Sequence, residues 1–97
     1  MPIDDAANIN STGVLLSSSK LNSISLSADK SYVSVGPGNS WEDIYQFLEP
    51  HGLSAVGGRI GMVGVAGLVL GGGISYFGNE YGFASANNNV RAFQVIF

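Results

Sequence analysis

The chain has 97 residues, a net charge of −3 and 11% charged side chains, well under the roughly 25% of an ordinary soluble domain. That length suits one small domain or a piece of a larger one, with a thin core. Its four cations, Lys20, Lys30, Arg59 and Arg91, are scattered, which argues against a nucleic-acid partner or a polybasic membrane patch. Cysteine is absent, excluding disulfides and thiolate metal sites, and a lone His51 without paired carboxylates argues against a metal centre. So little charge predicts apolar surface that the rest of a polypeptide, a partner or a membrane would cover.

Residues 1–12 read as a polar lead-in. Met1-Pro2-Ile3-Asp4-Asp5 lacks the basic and apolar regions of a signal peptide, so the sequon Asn10-Ser11-Thr12 matters only if the protein is secreted. The chain leaves its compartment open. Gly13-Val14-Leu15-Leu16-Ser17 reads as a short strand. Ile24-Ser25-Leu26 and Tyr32-Val33-Ser34-Val35 alternate apolar residues with Ser, as half-buried strands do. Ser27–Ser31 has the length of a hairpin connection, and Gly36-Pro37-Gly38 ends the second strand.

The clearest helix follows. Ser40 is its expected N-cap, with Asp43 completing a variant capping box. Glu42 and Asp43 complement the positive end of the dipole. Trp41, Ile44, Tyr45, Phe47 and Leu48 form one apolar face, and Pro50 and Gly52 close the helix, leaving His51 solvated or capping. Leu53–Val56 and Phe93–Phe97 read as further short strands.

Between them lies the most unusual stretch, Gly57 to Gly73. Glycines at 57, 58, 61, 64, 67, 71, 72 and 73 alternate with small or branched apolar residues. Each Gly inside a helix or strand costs about 0.5–1 kcal/mol relative to Ala, so something other than local stability requires the missing Cβ atoms. Three readings are open. A turn-rich structural segment would put glycines at corners. A membrane segment would use the uncharged residues 60–79, but seven glycines and the triplet Gly71-Gly72-Gly73 make a poor spanning helix. A nucleotide-cofactor loop would bring backbone N–H groups and Arg59 to phosphates. Neither Gly-x-Gly-x-x-Gly nor the Gly-Lys-Ser/Thr of a P-loop is present; the spacing is Gly61-x-x-Gly64-x-x-Gly67, then the triplet.

The order of these features resembles a known family. Gly13-Val14-x-Leu16 with Leu21-Asn22-x-Ile24, Val35-Gly36-Pro37-Gly38-x-x-Trp41, Gly57-Gly58-Arg59, Val63-Gly64-Val65-x-Gly67-Leu68, Leu70-Gly71-Gly72-Gly73-Ile74-Ser75 and Tyr81-Gly82-Phe83-Ala84 are similar to FAD-linked oxidoreductases. The type is vanillyl-alcohol oxidase / p-cresol methylhydroxylase (PCMH), especially the fungal berberine-bridge-enzyme-like members. The resemblance implies an α+β fold of short mixed strands with a few helices. Residues 13–97 would form a partial PCMH-type FAD-binding domain, truncated at both ends.

The same resemblance implies FAD as cofactor and a small-molecule substrate in the intact protein, with no membrane or nucleic acid. It sets Gly57, Gly58, Gly61, Val63, Gly64, Gly67 and Leu68 along the pyrophosphate and ribityl region. Gly71, Gly72, Tyr81 and Gly82 would continue the cofactor wall. The chain departs from the family at several points. It has no Arg-x-Gly-Gly-His, whose His often bonds the flavin, and it has Ile60 where doubly linked members have Cys. Ala66 stands where Gly is usual, and Asn88 is the counterpart of the Asp in the family's Asp-Asn-Val. The chain alone is therefore expected to show no redox activity and to hold FAD weakly or not at all. A truncated, non-catalytic structural or interaction segment is the alternative.

Overall fold

The computed structural model describes Asp4 and residues 8–96. Strands β1 (Ile24–Leu26) and β2 (Val33–Val35) pair antiparallel, with Ile24 opposite Val35, Ser25 opposite Ser34 and Leu26 opposite Val33. The period-2 alternation has its expected effect: the four apolar residues share a half-buried face and the serines are exposed. Side chains build the turn between them. The Asp29 carboxylate accepts from the Ser27 and Ser31 hydroxyls, each at 2.8 Å, and from the Ser31 N–H.

Helix α1 (Trp41–Leu48) starts at Ser40, whose hydroxyl accepts from the Asp43 N–H while the Asp43 carboxylate accepts from the Ser40 N–H at 2.8 Å. The expected capping box is therefore present. A single 3-10 turn (Glu49–His51) follows, and Gly52 ends it in the left-handed region at φ 68°, where a Cβ would be strained. His51 is exposed, its ring 5.8 Å from that of Phe47. Two shorter helices complete the described structure, α2 (Val65–Leu70) and α3 (Gly78–Tyr81).

The core lies where α1 meets the hairpin and α2. Trp41, Ile44, Leu48 and Val69 are buried together, with Ile24, Leu26, Val33, Val35, Tyr45, Phe47, Val63, Val65 and Leu68 packed against them. It is thin, as the length implies. Elsewhere apolar residues face outward, Leu16 being 95% and Ile96 86% exposed.

Three expected strands do not form among the described residues. Val14, Leu15 and Leu16 are exposed and belong to no strand, and neither Leu53–Val56 nor Phe93–Ile96 pairs with a neighbour; Phe97 lies outside the described residues. The propensity is there, but a strand requires a ladder partner, and none lies alongside these segments. The glycine stretch also departs from a pure loop. Val65–Leu70 has one glycine among helix-compatible residues and turns into α2, its start fixed by the Val65 N–H donating to the Asn39 carbonyl at 3.0 Å.

Candidate functional site

The glycine stretch is laced to the start of α1 through its backbone. The Trp41 N–H donates to the Val63 carbonyl (3.1 Å) and the Glu42 N–H to the Gly61 carbonyl (2.9 Å). Ser40 and Gly64 form an isolated antiparallel bridge. Asn39 anchors the junction from a buried position, its amide donating to the Gly36 (2.9 Å) and Ser23 (3.2 Å) carbonyls. The Tyr45 hydroxyl donates to the Gly58 carbonyl at 2.6 Å; burial, and secondarily the charge of Tyr76, push its pKa above the usual phenol value. The first N–H groups of α1 are thus satisfied within the protein, so this helix end holds no anion.

The glycines fall into two physical groups. A Cβ on Gly57 would sit inside the Trp41 ring, and one on Gly58 would lie 2.7 Å from Trp41 Cδ1 and 2.6 Å from Leu68 Cδ1. Both residues are buried, and packing against the indole accounts for them. Gly73 is similar, crowded by Leu68 and, at 2.7 Å, by Ala84 Cβ. Gly64 and Gly67 behave differently: among the described residues, nothing beyond the adjoining backbone stands within 4 Å of either Cβ position. Gly64 has φ −65° and ψ 136°, angles open to any residue. Neither angle requires a glycine there.

Gly67 and Gly71 line a groove of about 340 Å³ with Val63 and Leu68, and Arg59 stands at the same groove. Four of the expected site residues therefore come together. No carboxylate lines the groove, and Arg59 makes no ion pair among the described residues. A larger recess, about 810 Å³, shares Arg59 but includes Glu42 and Glu49, whose charges oppose phosphate. Gly61 is the one expected residue there, with its Cβ position 3.1 Å from Glu42 Cβ. By charge, the smaller groove is the better seat for an anionic cofactor.

The remaining expected residues lie beyond it. Gly72, at φ 100°, follows α2, and Tyr81 and Gly82 end α3. The Ala84 N–H donates to the Gly73 carbonyl and the Ser85 N–H to the Gly72 carbonyl, each at 2.9 Å, which ties the two segments together. Gly57, Gly58, Gly61, Gly64, Gly72, Tyr81 and Gly82 do not line the groove, whereas Gly73 and Ile74 do. Those two belong to the same glycine-rich motif, which was the available signal.

The smaller groove has glycines and the Arg59 guanidinium in its lining and no carboxylate, a charge balance compatible with an anionic ligand. The family model described as FAD binding domain matches residues 3–97. The chain belongs to this family, and its cofactor is FAD. It is 51% identical over 92 residues to an FAD-dependent monooxygenase of Penicillium terrestre, covering 93% of this chain and 17% of that protein. An FAD-dependent monooxygenase of Penicillium roqueforti is 48% identical over 97 residues (99% and 18%). The bifunctional solanapyrone synthase of Alternaria solani is 43% identical over 95 residues (98% and 18%). The chain thus spans less than a fifth of these relatives' length. No solved structure matches it. Among the described residues, no helix is long and apolar enough to cross a membrane.

Proposed function

We propose that residues 13–97 form part of a PCMH-type FAD-binding domain of α+β build, within an FAD-dependent oxidoreductase acting on a small molecule. Gly61, Val63, Gly64, Gly67 and Leu68 run along the pyrophosphate and ribityl region, with Arg59 supplying positive charge. Gly71, Gly72, Tyr81 and Gly82 continue the wall, while Gly57 and Gly58 support it through Trp41. Bound FAD, held by these residues, would supply hydride-accepting chemistry. This chain's part is to bind and orient the cofactor, and none of its residues is given a catalytic role.

One observation carries this reading. A purely structural role explains Gly57, Gly58 and Gly73 by packing but leaves Gly67 unexplained. It sits inside α2, where it costs about 0.8–1.0 kcal/mol relative to Ala, and no neighbour needs the space. Room for a ligand explains it.

Hydrogen–deuterium exchange of the intact protein that contains this chain, with and without excess FAD, tests the reading, since the chain alone is expected to hold FAD weakly or not at all. Protection concentrated over residues 61–72 is the expected result. Exchange unchanged by FAD would overturn the assignment of these residues to the cofactor.

A further inference from the structure

Asn89 lies past the expected wall, yet its side chain reaches back to it. Its amide Nδ2 donates to the Tyr81 carbonyl at 3.0 Å and to the Phe83 carbonyl at 2.8 Å. Tyr81 is the last residue of α3, so its carbonyl belongs to the set a helix end leaves without an intrahelical donor. Between the two acceptors stands Gly82, at φ 77° and ψ −158°, a conformation essentially confined to glycine. Both amide hydrogens are therefore used, one on each side of a strained residue. The clamp is in turn fixed from behind: the Asn89 N–H donates to the Ala86 carbonyl at 2.8 Å. Asn88, the expected counterpart of the family's Asp, is exposed, and no such contact is recorded for it.

We propose that Asn89 is a positioning residue for the cofactor site, fixing the Tyr81-Gly82 wall by holding the carbonyls of residues 81 and 83 with a single amide. The proposal rests on the reading of Tyr81 and Gly82 as part of that wall. Donation, rather than volume, is the property at issue. A carboxylate has nearly the same size and shape as the amide but only accepts, so it would face two carbonyl oxygens with no hydrogen to offer.

The test compares the intact protein that contains this chain with its Asn89→Ala and Asn89→Asp variants by hydrogen–deuterium exchange, with and without excess FAD. In the wild type, FAD should protect both residues 61–68 and residues 81–83. Both variants should keep the FAD-free protection of the Ala84 and Ser85 amides and the FAD-dependent protection of 61–68. Protection at 81–83 should fall about tenfold, as expected for the loss of one to two hydrogen bonds, and further in Asn89→Asp than in Asn89→Ala. Wild-type-like protection at 81–83 in Asn89→Asp would assign the residue to space-filling and overturn the proposal. So would variants that lose the FAD-free protection of Ala84 and Ser85, since Asn89 would then hold the fold and not the site. Protection at 61–68 without any at 81–83 in the wild type defeats the proposal alone. No FAD protection anywhere defeats the cofactor reading, and the proposal with it.

Discussion

The indole of Trp41 fills the space that a Cβ on Gly57 would need. Trp41 is only 4% exposed, and it anchors the first turn of α1 beneath the start of the glycine stretch. Two residues sixteen apart thus form one packing unit, which positions the groove without contributing to its lining.

From that relationship, Gly57→Ala should be strongly destabilising, because the added methyl cannot be placed without moving a buried ring. Overpacking of this kind costs about 1–3 kcal/mol. Trp41→Ala should cost on the order of 3–5 kcal/mol, the range for large aromatic truncations, enough to unfold a domain of marginal stability. Urea denaturation followed by circular dichroism measures both. An unchanged midpoint in either variant would show that the indole is not packed as described.

Tyr45→Phe isolates the second tie between α1 and the glycine stretch. It leaves the Gly58 carbonyl without its phenolic donor and should cost about 0.5–1.5 kcal/mol. Because burial raises the Tyr45 pKa in the folded state, its contribution is fully present below the unfolded phenol value. It should be lost as pH rises through the folded one. Denaturation at neutral and strongly alkaline pH should therefore show a smaller alkaline loss in Tyr45→Phe than in the wild type.

The capping box titrates in the opposite direction. The Ser40 backbone N–H, and next the Ser40 hydroxyl, hold the Asp43 carboxyl below its usual value. Its stabilisation is present above the unfolded value and is lost as pH falls through the folded one. Acidification below about pH 4 should loosen α1, seen as reduced far-ultraviolet helical signal, and Asp43→Asn should flatten that dependence. Equal acid sensitivity in both proteins would show that the capping carboxylate does not drive it.

The exposed apolar side chains should make the isolated chain self-associate. Sedimentation velocity over a concentration series should show growing species, and a dye that fluoresces on apolar surfaces should bind. A sharp monomer at all concentrations would contradict this.

Much of the scaffold was legible in the sequence because the signals were local. Serine alternation gave the hairpin, and Ser40 with Asp43 gave the start of α1. Val63, Gly67, Leu68 and Gly71, which the family resemblance implied as cofactor residues, line one groove. What local pattern could not supply was pairing. Val14–Leu16 and Phe93–Ile96 have strand composition but no ladder beside them. Nor could it separate glycines kept for the Trp41 ring from those left open, since that depends on contacts between residues far apart in the chain. Asn89 was missed for the same reason: its partners are set by the fold, although its place as the Asn of the family's Asp-Asn-Val was an available signal.

Whether Gly67 is kept open for the cofactor is tested most directly by Gly67→Ala. Alanine at this helical position meets no neighbour within 4 Å, so it should stabilise the fold by about 0.8–1.0 kcal/mol. The same methyl projects where the cofactor is to lie, so FAD-dependent protection over residues 61–72 should weaken. The denaturation midpoint of this chain carrying Gly67→Ala, and FAD protection in the intact protein carrying the same substitution, give the two quantities. A more stable chain with weakened FAD protection is the predicted result. A more stable chain whose FAD protection equals that of the wild type would contradict the account.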